Sequence, residues 1–135
     1  MISAIGQIHQ ILDFGYWNNK LPELNRKYVS AEPFPHIILD NFLNEKLLGE
    51  ILNEFQNFDA EDWIYYAHIN AKNKGFNKRN EFPPGIKLFI STLNSKEFCA
   101  FLSALTGIEN LLPDNMLEGG GLHESHKGGI LNIHA

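Results

Sequence analysis

Leu117-Glu118-Gly119-Gly120-Gly121-Leu122-His123-Glu124-Ser125-His126-Lys127-Gly128-Gly129-Ile130-Leu131-Asn132-Ile133-His134-Ala135 is the stretch on which the fold turns. Two glycine clusters flank a polar turn between two apolar stretches, a pattern that predicts strand, turn, strand. The expected strands are residues 121–125 and 129–134, antiparallel neighbours, with the turn near 124–128. Strand alternation then sets Ile130, Asn132 and His134 on one face and Leu131 and Ile133 on the other. The run stops on apolar, strand-like residues with no turn residue or cap, so the expectation is a sheet that continues past it.

A glycine cluster beside a strand also raises the idea of a phosphate cradle. Neither a lysine-serine pair nor a helical pattern follows residues 119–121, so both the P-loop and the dinucleotide fingerprints fail. His123 and His126 stand three apart, a spacing that serves zinc on a helix, but the flanking glycines argue against a helix there. No serine-centred elbow or Cys-His arrangement with its flanking context is present.

Working back towards the N-terminus, Leu111-Leu112-Pro113-Asp114 reads as a connector. Before it, Ser95 caps a predicted helix with the stripe Phe98, Leu102, Leu105, ended by Gly107. Pro83-Pro84 opens the preceding helix, in which Ile86, Phe89, Ile90 and Leu93 fall at i, i+3, i+4, i+7. Residues 70–81, rich in Lys and Asn, read as an exposed loop: plain solvation and a substrate lid are equal readings of it. Residues 63–69, aromatic and β-branched, read as a strand. Trp63, Tyr65 and Tyr66 suit packing on the helices, with a channel lining as the alternative.

The predicted amphipathic helix over 43–58 carries Leu47, Leu48, Ile51, Leu52 and Phe55 at helical spacing behind the capping residues Asn41 and Asn44. Both helical stripes, Leu47/Ile51/Phe55 and Phe98/Leu102/Leu105, are expected to bury against the sheet. His36-Ile37-Ile38-Leu39-Asp40, entered through Pro33-Phe34-Pro35, reads as a short buried strand. The first thirty residues are weakly patterned, with one short helical turn opened by Pro22 and running to Lys27.

The chain has 135 residues, with 11 Lys+Arg against 16 Asp+Glu and a net charge of −5. That length is one domain's worth. The acidic balance, with no basic run longer than Lys78-Arg79, lacks the electrostatic footprint that nucleic acid requires. The single Cys99, among Phe98, Phe101 and Leu102, excludes an internal disulfide and suits a reducing compartment. No signal-peptide pattern and no apolar span occurs, so a cytoplasmic protein with no membrane partner is expected.

The order of these segments resembles the prolyl 4-hydroxylase-like branch of the Fe(II)/2-oxoglutarate-dependent dioxygenases. The anchors are Pro35-His36-Ile37-Ile38-Leu39-Asp40-Asn41-Phe42-Leu43, Leu93-Asn94-Ser95-Lys96-Glu97-Phe98, Leu105-Thr106-Gly107-Ile108 and Leu111-Leu112-Pro113-Asp114. The most specific are Glu118-Gly119-Gly120-Gly121-Leu122-His123 and the run from Gly128 that ends Ile133-His134-Ala135. In such enzymes that run leads into an H-x-D motif, so the resemblance implies His134 as a metal ligand and Ala135 as the middle residue. Side chains at i and i+2 of a strand share a face and can hold one ion in adjacent positions. With a histidine from a later strand they leave open sites on iron for 2-oxoglutarate and dioxygen.

The implied cofactors are Fe(II), 2-oxoglutarate as co-substrate and O2, with ascorbate as a possible addition. The implied activity couples oxidative decarboxylation of 2-oxoglutarate to hydroxylation of a C–H bond. His123 is the candidate for co-substrate binding, with a structural histidine as the alternative. The family's tyrosine three residues before the motif histidine is Leu131 in this sequence. No catalytic side chain is assigned, and the carboxylate, the later histidine and the basic residue for the co-substrate lie beyond position 135.

The expected fold class is therefore α+β: an N-terminal helical layer plus the first strands of a double-stranded β-helix, or jelly roll, truncated at residue 135. It is read as a single domain over 1–135, with an N-terminal extension at 1–32, strands and helices at 33–116, and the start of the jelly-roll core at 117–135. On this reading the 135-residue chain alone is inactive. The substrate is a small molecule or a peptidyl group, and open strand edges favour self-association. The other reading is a non-catalytic α+β binding or scaffolding module.

Overall fold

A computed structural model describes residues 11–58, 63–68, 71–118 and 120–133. Its elements in chain order are α1 (Phe14–Val29), α2 (Glu45–Gln56), β1 (Ile64–His68), β2 (Ala71–Phe76), a 3-10 turn at Arg79–Glu81, α3 (Pro84–Leu93), α4 (Lys96–Thr106) and β3 (Leu122–Glu124). The class is α+β, with one three-stranded antiparallel sheet of order β1-β2-β3 among the described residues.

Local chemistry sets the helix ends. Asp13 accepts a hydrogen bond from the Tyr16 amide (2.9 Å), Asn44 from that of Leu47 (3.1 Å) and Ser95 from that of Phe98 (3.1 Å), each satisfying an N–H that has no partner inside its helix. Pro84 occupies the first turn of α3, where its missing N–H costs nothing. Gly107 ends α4 in the left-handed conformation (φ +78°), and its N–H closes on the Ser103 carbonyl.

Helix α1 is longer than the expected turn at 22–27. Pro22 lies inside it, so the Asn18 carbonyl forgoes its usual bond, yet the helix continues. What outweighs the proline is the stripe Phe14, Trp17, Leu21, Leu24, Tyr28, which packs into a core with Phe101 and Leu105 of α4. Asn25 fastens the pair by donating to the Leu105 carbonyl (2.8 Å). The stripe of α4 therefore buries against α1, not against the sheet as expected.

A second core gathers Ile51 of α2, Trp63, Phe76, Phe82, Ile86 of α3 and Leu117, with Phe55 and Leu122 packed beside it. In this core the α2 stripe does meet the sheet. Leu47 and Phe89 touch both cores and join them. Glu54 bridges α2 to α3 by accepting from the Gly85 (3.1 Å) and Ile86 (2.9 Å) amides, a carboxylate at a helix N-terminus.

Three further expectations are corrected. Residues 36–39 form no strand: Ile37 and Leu39 point into the first core while Ile38 is 81% exposed, so the alternation of an extended chain is present without a ladder partner. The loop expected at 70–81 contains β2, paired with β1 from Ile64↔Gly75 to His68↔Ala71. Strand pairing and the burial of Phe76 outweigh the low β-propensity of its lysines and asparagine. Finally, β3 pairs with β2 (Lys74↔Glu124, Gly75↔His123, Phe76↔Leu122), and the chain turns at 127–128 within the expected region, but residues 129–133 form no continuous strand: Leu131 alone among them makes a bridge.

Candidate functional site

Strand β3 positions the histidine singled out in the sequence. Leu122 packs against the second core and Glu124 is half-buried, while His123 between them is exposed, so it stands on the sheet face turned away from the helices. In register it sits beside Gly75, which in turn faces Ile64 of β1. The helices thus occupy one face of the sheet, and the row Ile64, Gly75, His123 lies on the other.

Gly121 brings β3 into place. Its φ of +150° and its approach to β2 both exclude a side chain, since a Cβ there would lie 2.5 Å from the Phe76 carbonyl oxygen. Beyond β3 the chain turns at residues 127–128, where the Gly129 amide donates to the His126 carbonyl (2.7 Å).

On the helix-facing side, Glu124 ends β3 in an ion pair with Lys74 of β2 (2.8 Å), and His126 reaches its other oxygen (3.3 Å). The Lys74 ammonium also lies 4.2 Å from the centre of the Trp63 ring, a cation–π contact on a desolvated indole. The hydrogen bond from Lys74 holds the Glu124 carboxyl below its ordinary value of 4.5; partial burial opposes this, and the charges of Lys74 and His126 add to it. Sequence reasoning missed this cluster because it took Lys74 for a loop residue. The period-two spacing Lys72, Lys74, Phe76 was the available signal.

Trp63 lines no channel: it is 7% exposed and packs against Phe58 and Phe76, and its indole N–H has no hydrogen-bond partner among the described residues. Tyr65 is 73% exposed, and the side chain of Tyr66 lies outside the described residues. Cys99 is buried, as expected.

His134 and Ala135 lie outside the described residues, and with them the metal-ligand role expected of His134. Among the described residues no three His, Cys, Asp or Glu side chains converge as a metal-binding group. No helix among them is long and apolar enough to cross a membrane. Compared with family models, curated proteins and solved structures, the chain finds no match in any of the three.

Proposed function

We propose that this chain is the N-terminal part of an Fe(II)/2-oxoglutarate-dependent dioxygenase of the prolyl 4-hydroxylase-like branch. The α+β layer leads into a jelly roll, and the intact enzyme couples oxidative decarboxylation of 2-oxoglutarate to hydroxylation of a substrate C–H bond. The observation that carries the reading is the ordered set of segments from Pro35 to His134, above all Glu118-Gly119-Gly120-Gly121-Leu122-His123 followed by the strand-like run into His134.

The architecture supports it in two ways. Among the described residues the helices lie on one face of the sheet and His123 on the other, an arrangement compatible with one wall of a jelly roll. The exposed apolar residues Ile130, Leu131 and Ile133 are of the kind that further strands would cover. His134 is the iron ligand assigned within this chain, and His123 the candidate for the co-substrate. The substrate is a small molecule or a peptidyl group, and the cytoplasm is the compartment that the single cysteine suits.

The residues that follow position 135 in the gene product test the reading directly. An Asp immediately after Ala135, then a later His and a later basic residue, completes the ligand set and supports it. A stop codon there, or another residue in place of the Asp, contradicts it and leaves a non-catalytic α+β module.

A further inference from the structure

We infer that the groove between α4 and the segment that returns beside it is a peptide-docking site. Its occupant is an extended segment of about five residues, with an acidic side chain at one end, a basic one at the other and small apolar residues between. The inference goes beyond the proposed chemistry and does not depend on it. Past Gly107 the chain doubles back. The Asp114 amide donates to the Asn94 side chain (2.7 Å) and the Asn94 side-chain amide donates to the Asp114 carbonyl, so residues 108–113 run from the C-terminal end of α4 to its N-terminal end. Between these two walls lies an open groove of about 760 Å³, inside the range of about 300–1,000 Å³ that ligand sites occupy.

The groove is apolar along its length and charged at its ends. Ala100 and Ala104 line it from α4, and Leu112 and Pro113 from the returning segment, with Leu112 83% exposed. Lys96 stands at the N-terminal end of α4 and Glu109 just past Gly107 at the other. At about 1.5 Å per residue, α4 sets these ends about 16 Å apart, the span of about five residues of extended chain. Neither side chain has an ion pair or hydrogen bond among the described residues. Their order is also the reverse of the one that steadies a helix, which favours acid at the N-terminus and base at the C-terminus. Glu97 shares the first turn but does not line the groove.

The polar groups between the ends favour a peptide over an alkyl chain. The side chains of Ser103 and Asn110 line the groove without a hydrogen-bond partner among the described residues. An asparagine amide offers a donor and an acceptor in one plane, which matches the N–H and C=O of a peptide unit. An alkyl chain would cover these groups and leave them unpaired. Opposite charges at the two ends then select an occupant that carries both signs.

The test is a titration of the isotope-labelled 135-residue chain with capped five-residue peptides, followed through backbone amide NMR shifts. Each peptide carries valine-proline-valine between ends that are glutamate and lysine in either order, two glutamates, or two lysines. The expected result is saturable shifts confined to residues 96–113 with the mixed-charge peptides, and binding about threefold weaker for the like-charged ones, the size of an exposed ion pair. Lys96→Glu should turn the preference to the two-lysine peptide and Glu109→Lys to the two-glutamate peptide. Both changes suit the α4 dipole, so the fold is kept. Asn110→Gly, which accepts the left-handed backbone at that position (φ +58°), should weaken all the peptides alike. No shift at residues 96–113 up to millimolar peptide overturns the inference. So does equal binding of every charge class, or shifts at the groove when the chain alone is concentrated, which would make the occupant a second copy. If a variant fails to fold, the charge preference of the unmodified chain still decides.

Discussion

Gly121 and Gly107 both hold positive φ, but they do different work. A Cβ on Gly121 would strike the Phe76 carbonyl and press on the Asn77 Cα, whereas one on Gly107 would meet nothing within 4 Å. Gly107→Ala should therefore cost only the left-handed strain of about 1–2 kcal/mol. Gly121→Ala should cost more, about 3 kcal/mol, because backbone cannot yield, and it should detach β3 from β2. Denaturant unfolding of the two variants side by side checks the ranking, and equal losses would contradict it. Residues whose role is local were legible in the sequence: Asn44, Pro84, Ser95 and Gly107 stand at the helix ends where the sequence puts them. Glu54 at the α3 N-terminus and Lys74 beneath Glu124 were not, because their partners lie far along the chain.

Helices α2, α3 and α4 stand close to their expected bounds, since an amphipathic stripe behind a capping residue or an N-terminal proline is a strong local signal. Strand β2 could not be read that way, because its lysines and asparagine belong to it only through pairing with β1 and β3. Residues 36–39 failed in the opposite direction: their composition is strand-like, but no strand lies beside them among the described residues. Between helices, Glu54→Ala removes two charge-assisted hydrogen bonds from the first turn of α3 and should destabilise the protein by about 1–3 kcal/mol. Glu54→Gln should recover part of that loss, and thermal unfolding measures both. Between strands, the controlling variable is pH. The Glu124 carboxyl titrates below its ordinary value when folded, so its pairing with Lys74 stabilises the native state above the unfolded value and is lost as pH falls through the folded one. Protection of the β3 amides, taken relative to their intrinsic exchange rates, should therefore fall on acidification below the ordinary glutamate range, and Glu124→Gln should flatten that response.

At the scale of the whole molecule, two cores joined through Leu47 and Phe89 hold the helices and carry a small sheet that, among the described residues, is covered on one face. The α+β class was legible from the sequence. The association of α1 with α4 was not, because Pro22 masked a helix whose stripe only the tertiary contact reinstates. The sheet presents His123 on its uncovered face, and the chain then runs through exposed apolar residues towards His134, the order of parts on which the dioxygenase proposal rests. The most direct test is 2-oxoglutarate turnover by the full-length product that contains this chain, supplied with Fe(II), O2 and candidate peptidyl or small-molecule substrates, and read as succinate. The expected result is succinate from the full-length protein that EDTA abolishes, none from the 135-residue chain, and none from a His134→Ala variant that keeps its fold. Succinate at an undiminished rate from His134→Ala, or EDTA-sensitive succinate from the 135-residue chain alone, would contradict it.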